Sequence, residues 1–168
     1  SGQTCIAGSR LLVQRSCYDE VSRKVTEFAA TARLGNPMDR ETQVGPITTQ
    51  AQREKVLGYI DIARSEGAKC LLGGKTPQAP ELKQGWFVEP TIFGDVHNAM
   101  RIAREEVFGP VLSIIPFADE AEAIAIANDS LYGLASGVWT SDIRRAFKMA
   151  DAIRAGTVWV NTYRAVSF

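Results

Sequence analysis

Apolar and polar positions along the chain switch between a helical and a strand period. Tyr18, Val21, Val25, Phe28 and Ala32 recur at three- and four-residue spacings, which predicts an amphipathic helix over residues 19–33. Gly35-Asn36-Pro37 should end it, because Pro37 cannot continue a helix and Gly35 suits a left-handed cap. After a loop through Gly45-Pro46, Thr48 or Thr49 starts a second helix. Its apolar side carries Gln52, Val56, Tyr59, Ile60 and Ala63, and Gly67 is its stop. Strand patterns occupy residues 11–13, 68–72, 87–93 and 111–117. The last is an unbroken apolar run, as expected of a strand covered on both faces. A helix over residues 119–127, a strand over 134–139, a helix over 142–154 and a strand over 157–161 complete the chain. The last helix directs Ile143, Ala146, Phe147, Ala150 and Ile153 toward the core. Strands alternating with helices imply parallel crossovers. The fold class is α/β, with a mainly parallel sheet.

Composition narrows the picture. The 168 residues carry 19 Lys+Arg and 19 Asp+Glu, a net charge of zero with the single His neutral. That balance argues against nucleic acid or an anionic membrane as partner, since both need a basic excess. No apolar run approaches the roughly 20 residues that span a bilayer, and no signal-peptide pattern opens the chain. The length suits one domain with a real core. Cys5, Cys17 and Cys70 are too few and too scattered for a disulfide scaffold or a zinc site. A reducing, cytoplasmic setting is the expectation.

Several motifs fail on inspection. Gly73-Gly74-Lys75-Thr76 resembles the end of a phosphate-binding loop, but Lys69 stands where that loop needs its first glycine. It reads as a turn leaving a strand. None of the 14 glycines forms Gly-x-Gly, so the dinucleotide fingerprint is absent from the chain. Asn128-Asp129-Ser130 matches a glycosylation sequon at a helix end. His97 has no second histidine with which to build a metal site.

Two segments carry chemistry. Cys5 lies among small and polar residues just ahead of the strand at residues 11–13. A cysteine opening a short helical turn has backbone N–H groups aimed at its sulfur, which favours the thiolate and offers donors to an oxyanion. On spacing alone, a nucleophile and a packed structural cysteine both remain open. Cys17 and Cys70, at a helix start and in a strand, read as packing residues. Arg104-Glu105-Glu106-Val107-Phe108-Gly109-Pro110 places two carboxylates before a ring and a Gly-Pro break. It is either a rigid edge aiming one carboxylate and one ring into a cleft, or a capped loop before the next strand.

The order Gly2-Gln3-Thr4-Cys5, Gly35-Asn36-Pro37, Gly45-Pro46, Gly85-Trp86-Phe87-Val88-Glu89-Pro90-Thr91-Ile92-Phe93, Glu105-Glu106-Val107-Phe108-Gly109-Pro110, Tyr132-Gly133-Leu134-Ala135 and Ala155-Gly156-Thr157-Val158-Trp159-Val160-Asn161 resembles the NAD(P)-dependent aldehyde dehydrogenase superfamily. The likeness covers essentially the whole chain. It implies an open twisted sheet flanked by helices, and a nucleophile-bearing catalytic domain over residues 1–168 that is truncated at both ends. By that resemblance Cys5 is the nucleophile, passing through a thiohemiacetal and a thioester, and its main-chain N–H is half of an oxyanion hole. Glu106 binds the nicotinamide ribose, Phe108 packs beside the nicotinamide, and Gln52 and Lys55 add ribose contacts.

The resemblance further implies NAD or NADP as cofactor, a small-molecule aldehyde as substrate, and a parent homodimer or homotetramer. The family's general base, oxyanion-hole asparagine and cofactor domain precede the cysteine, and its oligomerisation strand follows the position of Phe168. The isolated chain is therefore expected to be inactive and to bind no cofactor by itself. An acylating enzyme that passes the thioester to coenzyme A is the alternative within the superfamily. Outside it stand a cysteine hydrolase pairing Cys5 with His97, and a non-enzymatic structural protein.

Overall fold

A computed structural model describes residues 1–165. The chain divides into two compact units, Ser1–Pro116 and Phe117–Phe168. The first holds strands β1 (Arg10–Gln14), β2 (Lys69–Leu72), β3 (Thr91–Gly94) and β4 (Val111–Phe117), with helices α1 (Tyr18–Ala30), α2 (Gln50–Ser65) and the single turn α3 (Arg101–Arg104). Its sheet runs in the order β1-β4-β3-β2. β3 and β4 are parallel, with Thr91 opposite Val111 and Phe93 opposite Ser113. β2 is antiparallel to β3 and its register shifts between Cys70 and Leu72. As its apolar run predicts, β4 is an inner strand, and Ser113, Ile114 and Ile115 are buried.

α2 forms as its pattern dictates. The Thr49 hydroxyl accepts the Gln52 N–H at 3.2 Å, capping the first turn. Val56, Ile60 and Ala63 are 0, 1 and 0 % exposed, and burying an Ile or Val side chain is worth about 1.5–3 kcal/mol. Gly67 stops the helix at φ +94°, a conformation that glycine adopts without steric penalty.

α1 departs from expectation at its end. Thr31 closes the helix, its hydroxyl donating to the Phe28 carbonyl at 2.7 Å, so α1 stops at Ala30. Tyr18, Val21, Val25 and Ala29 pack on the cluster of Val13, Ile92 and Ile114, whereas Phe28 is 81 % exposed. Gly35 is not among the residues with positive φ. It is needed for close approach instead, since a Cβ there would stand 2.5 Å from Thr42 Oγ1. The strand expected over residues 87–93 shrinks to β3, because Pro90 has no N–H to give a ladder. Phe87 and Val88 are buried all the same.

The second unit contains α4 (Glu120–Asn128), β5 (Ala135–Val138), α5 (Ile143–Ala152) and β6 (Thr157–Val160). β5 and β6 are parallel, Ala135 opposite Thr157, and α5 connects them. They form a two-stranded sheet of their own. Ala123, Met149 and Ile153 make its core with Phe117, Val138 and Val158 around them. The expected core face of α5 is only partly right. Ala146 and Ile153 are buried, but Ile143 and Phe147 are 66 % and 72 % exposed, and Met149 takes their place inside.

Candidate active site

The segment before β1 is fixed by its neighbours. Gln3 Oε1 accepts from both the N–H and the hydroxyl of Thr48, each at 3.0 Å, which ties the segment to the start of α2. Gly2 has φ +70°, and a methyl group there would overlap the Gly109 carbonyl. Gly109 in turn leaves no room for a Cβ, which would stand 2.5 Å from Val56 Cγ2 of α2. The Cys5 segment, residues 105–110 and α2 are thus held together by two glycines that let backbone meet backbone and side chain. Cys5 itself sits on a turn closed by the Ala7 N–H to the Thr4 carbonyl at 2.8 Å, and it is exposed.

Residues 105–110 are gripped at both ends. Arg101 donates through Nε and Nη2 to the two Glu105 oxygens at 2.7 and 3.0 Å. The Tyr59 hydroxyl donates to Glu105 Oε2 at 2.7 Å. Hydrogen bonds from Arg101, and then from Tyr59, hold the Glu105 carboxyl down at about 2. Lys55 Nζ and the Arg101 guanidinium stand over the Tyr59 ring, 5.7 and 5.8 Å from its centroid. At the other end Phe108 has φ +55°, a left-handed conformation that costs a bulky residue roughly 1–2 kcal/mol. The Gln52 amide nitrogen donates to the Val107 and Phe108 carbonyls at 2.9 and 3.0 Å. Two such bonds, at about 0.5–1.5 kcal/mol net each, are of the size needed to offset the strain.

Glu106 stands between the two grips. It is exposed and makes no hydrogen bond or ion pair among the described residues. Two adjacent, chemically identical carboxylates therefore have opposite situations. Glu105 is engaged by three donors, and Glu106 has both oxygens open.

The structure gathers Cys5, Gln52, Lys55, Glu106 and Phe108 into the first unit, with Lys55 one turn along α2 from Gln52 and over Tyr59. His97 is elsewhere occupied. Its Nδ1 accepts the Ala99 N–H at 3.2 Å, and no hydrogen bond joins it to Cys5. The Gly73-Gly74 turn, at φ +66° and +75°, uses its own backbone. The Gly74 N–H donates to Thr91 Oγ1 at 2.9 Å, and its carbonyl accepts from Arg64 at 2.7 Å. Asn128 of the sequon bridges helix ends, donating to the Ala152 carbonyl at 2.8 Å and accepting the Arg154 N–H at 2.7 Å. Cys17 is exposed rather than packed, and Cys70 is half-buried.

Among the described residues no group of three His, Cys, Asp or Glu side chains is placed to hold a metal. No described helix is long and apolar enough to cross a membrane. Two shallow concavities of about 160 and 340 Å³ are lined by Arg53, Lys83 and Phe87, and by Arg33, Asn36 and Glu81. Neither includes Cys5 or Glu106. Sequence reasoning missed Gln3, Tyr59 and Glu105 as the fixing residues. Tyr59 was legible as a polar-tipped residue seven positions after Gln52, which is about two helical turns and the same face.

An exposed cysteine on a turn and a loop carrying an open carboxylate are thus joined through Gly2 and Gly109 within one α/β unit. The chain belongs to the aldehyde dehydrogenase family, whose model matches residues 1–167. It is 48 % identical over 165 residues to acetaldehyde dehydrogenase 2 of Cupriavidus necator, covering 98 % of this chain and 32 % of that protein. With the betaine aldehyde dehydrogenase of Brucella anthropi it shares 45 % over 163 residues, 97 % of this chain and 34 % of the relative. Among solved structures, the Staphylococcus aureus betaine aldehyde dehydrogenase in complex with NAD+ superposes with a TM-score of 0.96 at 43 % identity, over 98 % of this chain and 33 % of that one. The Mycobacterium tuberculosis aldehyde dehydrogenase complexed with NAD+ does so with a TM-score of 0.94 at 47 % identity, over 98 % and 34 %. The chain thus spans about a third of the length of the curated relatives it matches.

Proposed function

We propose that this chain supplies the nucleophile and part of the cofactor cradle to an enzyme that oxidises a small aldehyde to a carboxylic acid with NAD or NADP. The single observation that carries the reading is the open Glu106 carboxylate, in a loop fixed at both ends and joined to the Cys5 segment through Gly2 and Gly109. The fit to a nicotinamide cofactor is chemical: ribose hydroxyls are donors, and a carboxylate with both oxygens free accepts two of them. Phe108 provides the flat side chain beside the nicotinamide, and Gln52 and Lys55 of α2 belong to the same ribose-facing side. NAD+ in both structures described above favours NAD over NADP.

The Cys5 thiolate attacks the aldehyde carbon, forming a C–S bond while the carbonyl oxygen takes up negative charge near the Cys5 main-chain N–H. Loss of hydride from that carbon restores the carbonyl and leaves a thioester. The bound nicotinamide supplies the chemistry that accepts the hydride. Water then adds to the thioester, the C–S bond breaks, and the acid leaves with the thiol regenerated.

The relatives carry names for both acetaldehyde and betaine aldehyde, so the substrate is assigned as an aldehyde and no further. The intact enzyme, given an aldehyde and NAD, is expected to form NADH and free acid at a rate that coenzyme A does not change. The 168 residues alone are expected to form none. No reduction of NAD or NADP by the intact enzyme, or an acyl-coenzyme A product, overturns the reading.

A further inference from the structure

Gln52 is in the first turn of α2, and its amide nitrogen donates to two successive carbonyls, Val107 at 2.9 Å and Phe108 at 3.0 Å. Extended backbone points successive carbonyls to opposite sides. The left-handed conformation of Phe108, at φ +55°, turns both to one side, where a single amide can cap them. A side-chain amide has two hydrogens, so both are used here and only Oε1 is left to act as an acceptor. Two turns further along the same helix, the Tyr59 hydroxyl holds Glu105 at 2.7 Å. Glu106 is thereby the residue suspended between two contacts from one rigid helix.

We propose that Gln52 is a positioning residue, acting on the cofactor by capping the Val107 and Phe108 carbonyls and so holding Glu106 and Phe108 in place, with Tyr59 fixing the opposite end through Glu105. This rests on the reading of Glu106 and Phe108 as the cofactor-binding pair. It differs from a direct ribose contact in what Gln52 must supply. A ribose contact through the free Oε1 needs an acceptor, and the cap needs a donor.

Two substitutions in the intact enzyme separate these roles. Gln52→Glu keeps the acceptor and removes the donors, and Gln52→Lys keeps donors and removes the acceptor. The expected result is a rise of about tenfold in KM and Kd for NAD in Gln52→Glu and a clearly smaller rise in Gln52→Lys, with the loss falling on KM rather than kcat. A rise in Gln52→Lys equal to or larger than that in Gln52→Glu overturns the cap. Wild-type NAD affinity in Gln52→Glu overturns the proposal. Hydrogen exchange of the peptide covering residues 105–110, measured without cofactor, gives an independent readout. It is expected to quicken about tenfold in Gln52→Glu, and unchanged exchange there also overturns the cap. Tyr59→Phe is expected to quicken exchange two- to threefold at the Glu105 end, and no change removes Tyr59 from the proposal. Glu106→Gln is the control on the underlying reading. It should lose NAD affinity without altering loop exchange; if it binds NAD as wild type does, the cofactor reading fails while the exchange data still decide the cap.

Discussion

α2 and α5 are both amphipathic and both capped by a side chain at the N-terminus, each within its own unit. Their apolar faces end differently. α2 packs beside α3, and Val56, Ile60 and Ala63 are sealed. Its half-buried polar residues then reach sideways, Gln52 and Tyr59 into residues 105–110. α5 packs on both strands of its sheet, buries Ala146 and Met149, and leaves Ile143 and Phe147 exposed. Its polar residues Arg145 and Lys148 meet Glu120 of α4 at the exposed surface. A helix whose apolar face is fully covered can serve as a rigid ruler for a site. A helix with a half-covered face has less to anchor it.

The comparison breaks most sharply on core truncation. Ile60→Ala in α2 is expected to cost about 2–5 kcal/mol of unfolding free energy, the range for a buried Ile. Phe147→Ala in α5, although it removes a larger side chain, should stay within about 0.5 kcal/mol. Urea midpoints of the two variants against wild type decide it, and equal losses would mean that α5 is as well covered as α2.

Acid response sharpens the same contrast by a smaller effect. Glu105 beside α2 is held at about 2, against an ordinary value of 4.5, by Arg101 and Tyr59. Glu120 beside α5 is also lowered, first by Lys148 and then by Arg145. A carboxyl whose folded value is depressed adds stability that is fully present above its unfolded value and is lost as pH falls through the folded one. The Glu105 contribution should therefore be complete above about pH 4.5 and disappear toward about pH 2. Glu105→Gln should flatten the decline in urea midpoint over that interval more than Glu120→Gln does. An equal or greater flattening by Glu120→Gln would contradict the tighter hold on Glu105.

What could be read in advance followed a physical divide. The existence of α2 and its stop at Gly67 follow from local rules, as does a start at Thr48 or Thr49, of which the fold uses Thr49 as the cap. The inner position of β4 followed from its unbroken apolar run for the same reason. Which part of an apolar stripe is covered depends on what tertiary packing sets against it, and no local pattern around Ile143 or Phe147 encodes that. The strand over residues 87–93 was overread because composition outweighed the single missing N–H of Pro90. At the site, the motif marked Cys5 and the two adjacent glutamates. The resemblance singled out Glu106, but the holding of Glu105 comes from Arg101 and Tyr59, which only the fold brings to it.

Cys5 and Cys17 offer the most direct test of the account, because both are exposed and simple accessibility gives neither an advantage. The measurement is the rate of iodoacetamide alkylation at each cysteine of the intact enzyme near neutral pH, followed by peptide mass together with NAD-dependent aldehyde oxidation. The account predicts that Cys5 is modified at least about tenfold faster than Cys17, and that activity falls in step with Cys5 modification. Equal rates at the two cysteines, or full turnover with Cys5 blocked, would contradict it.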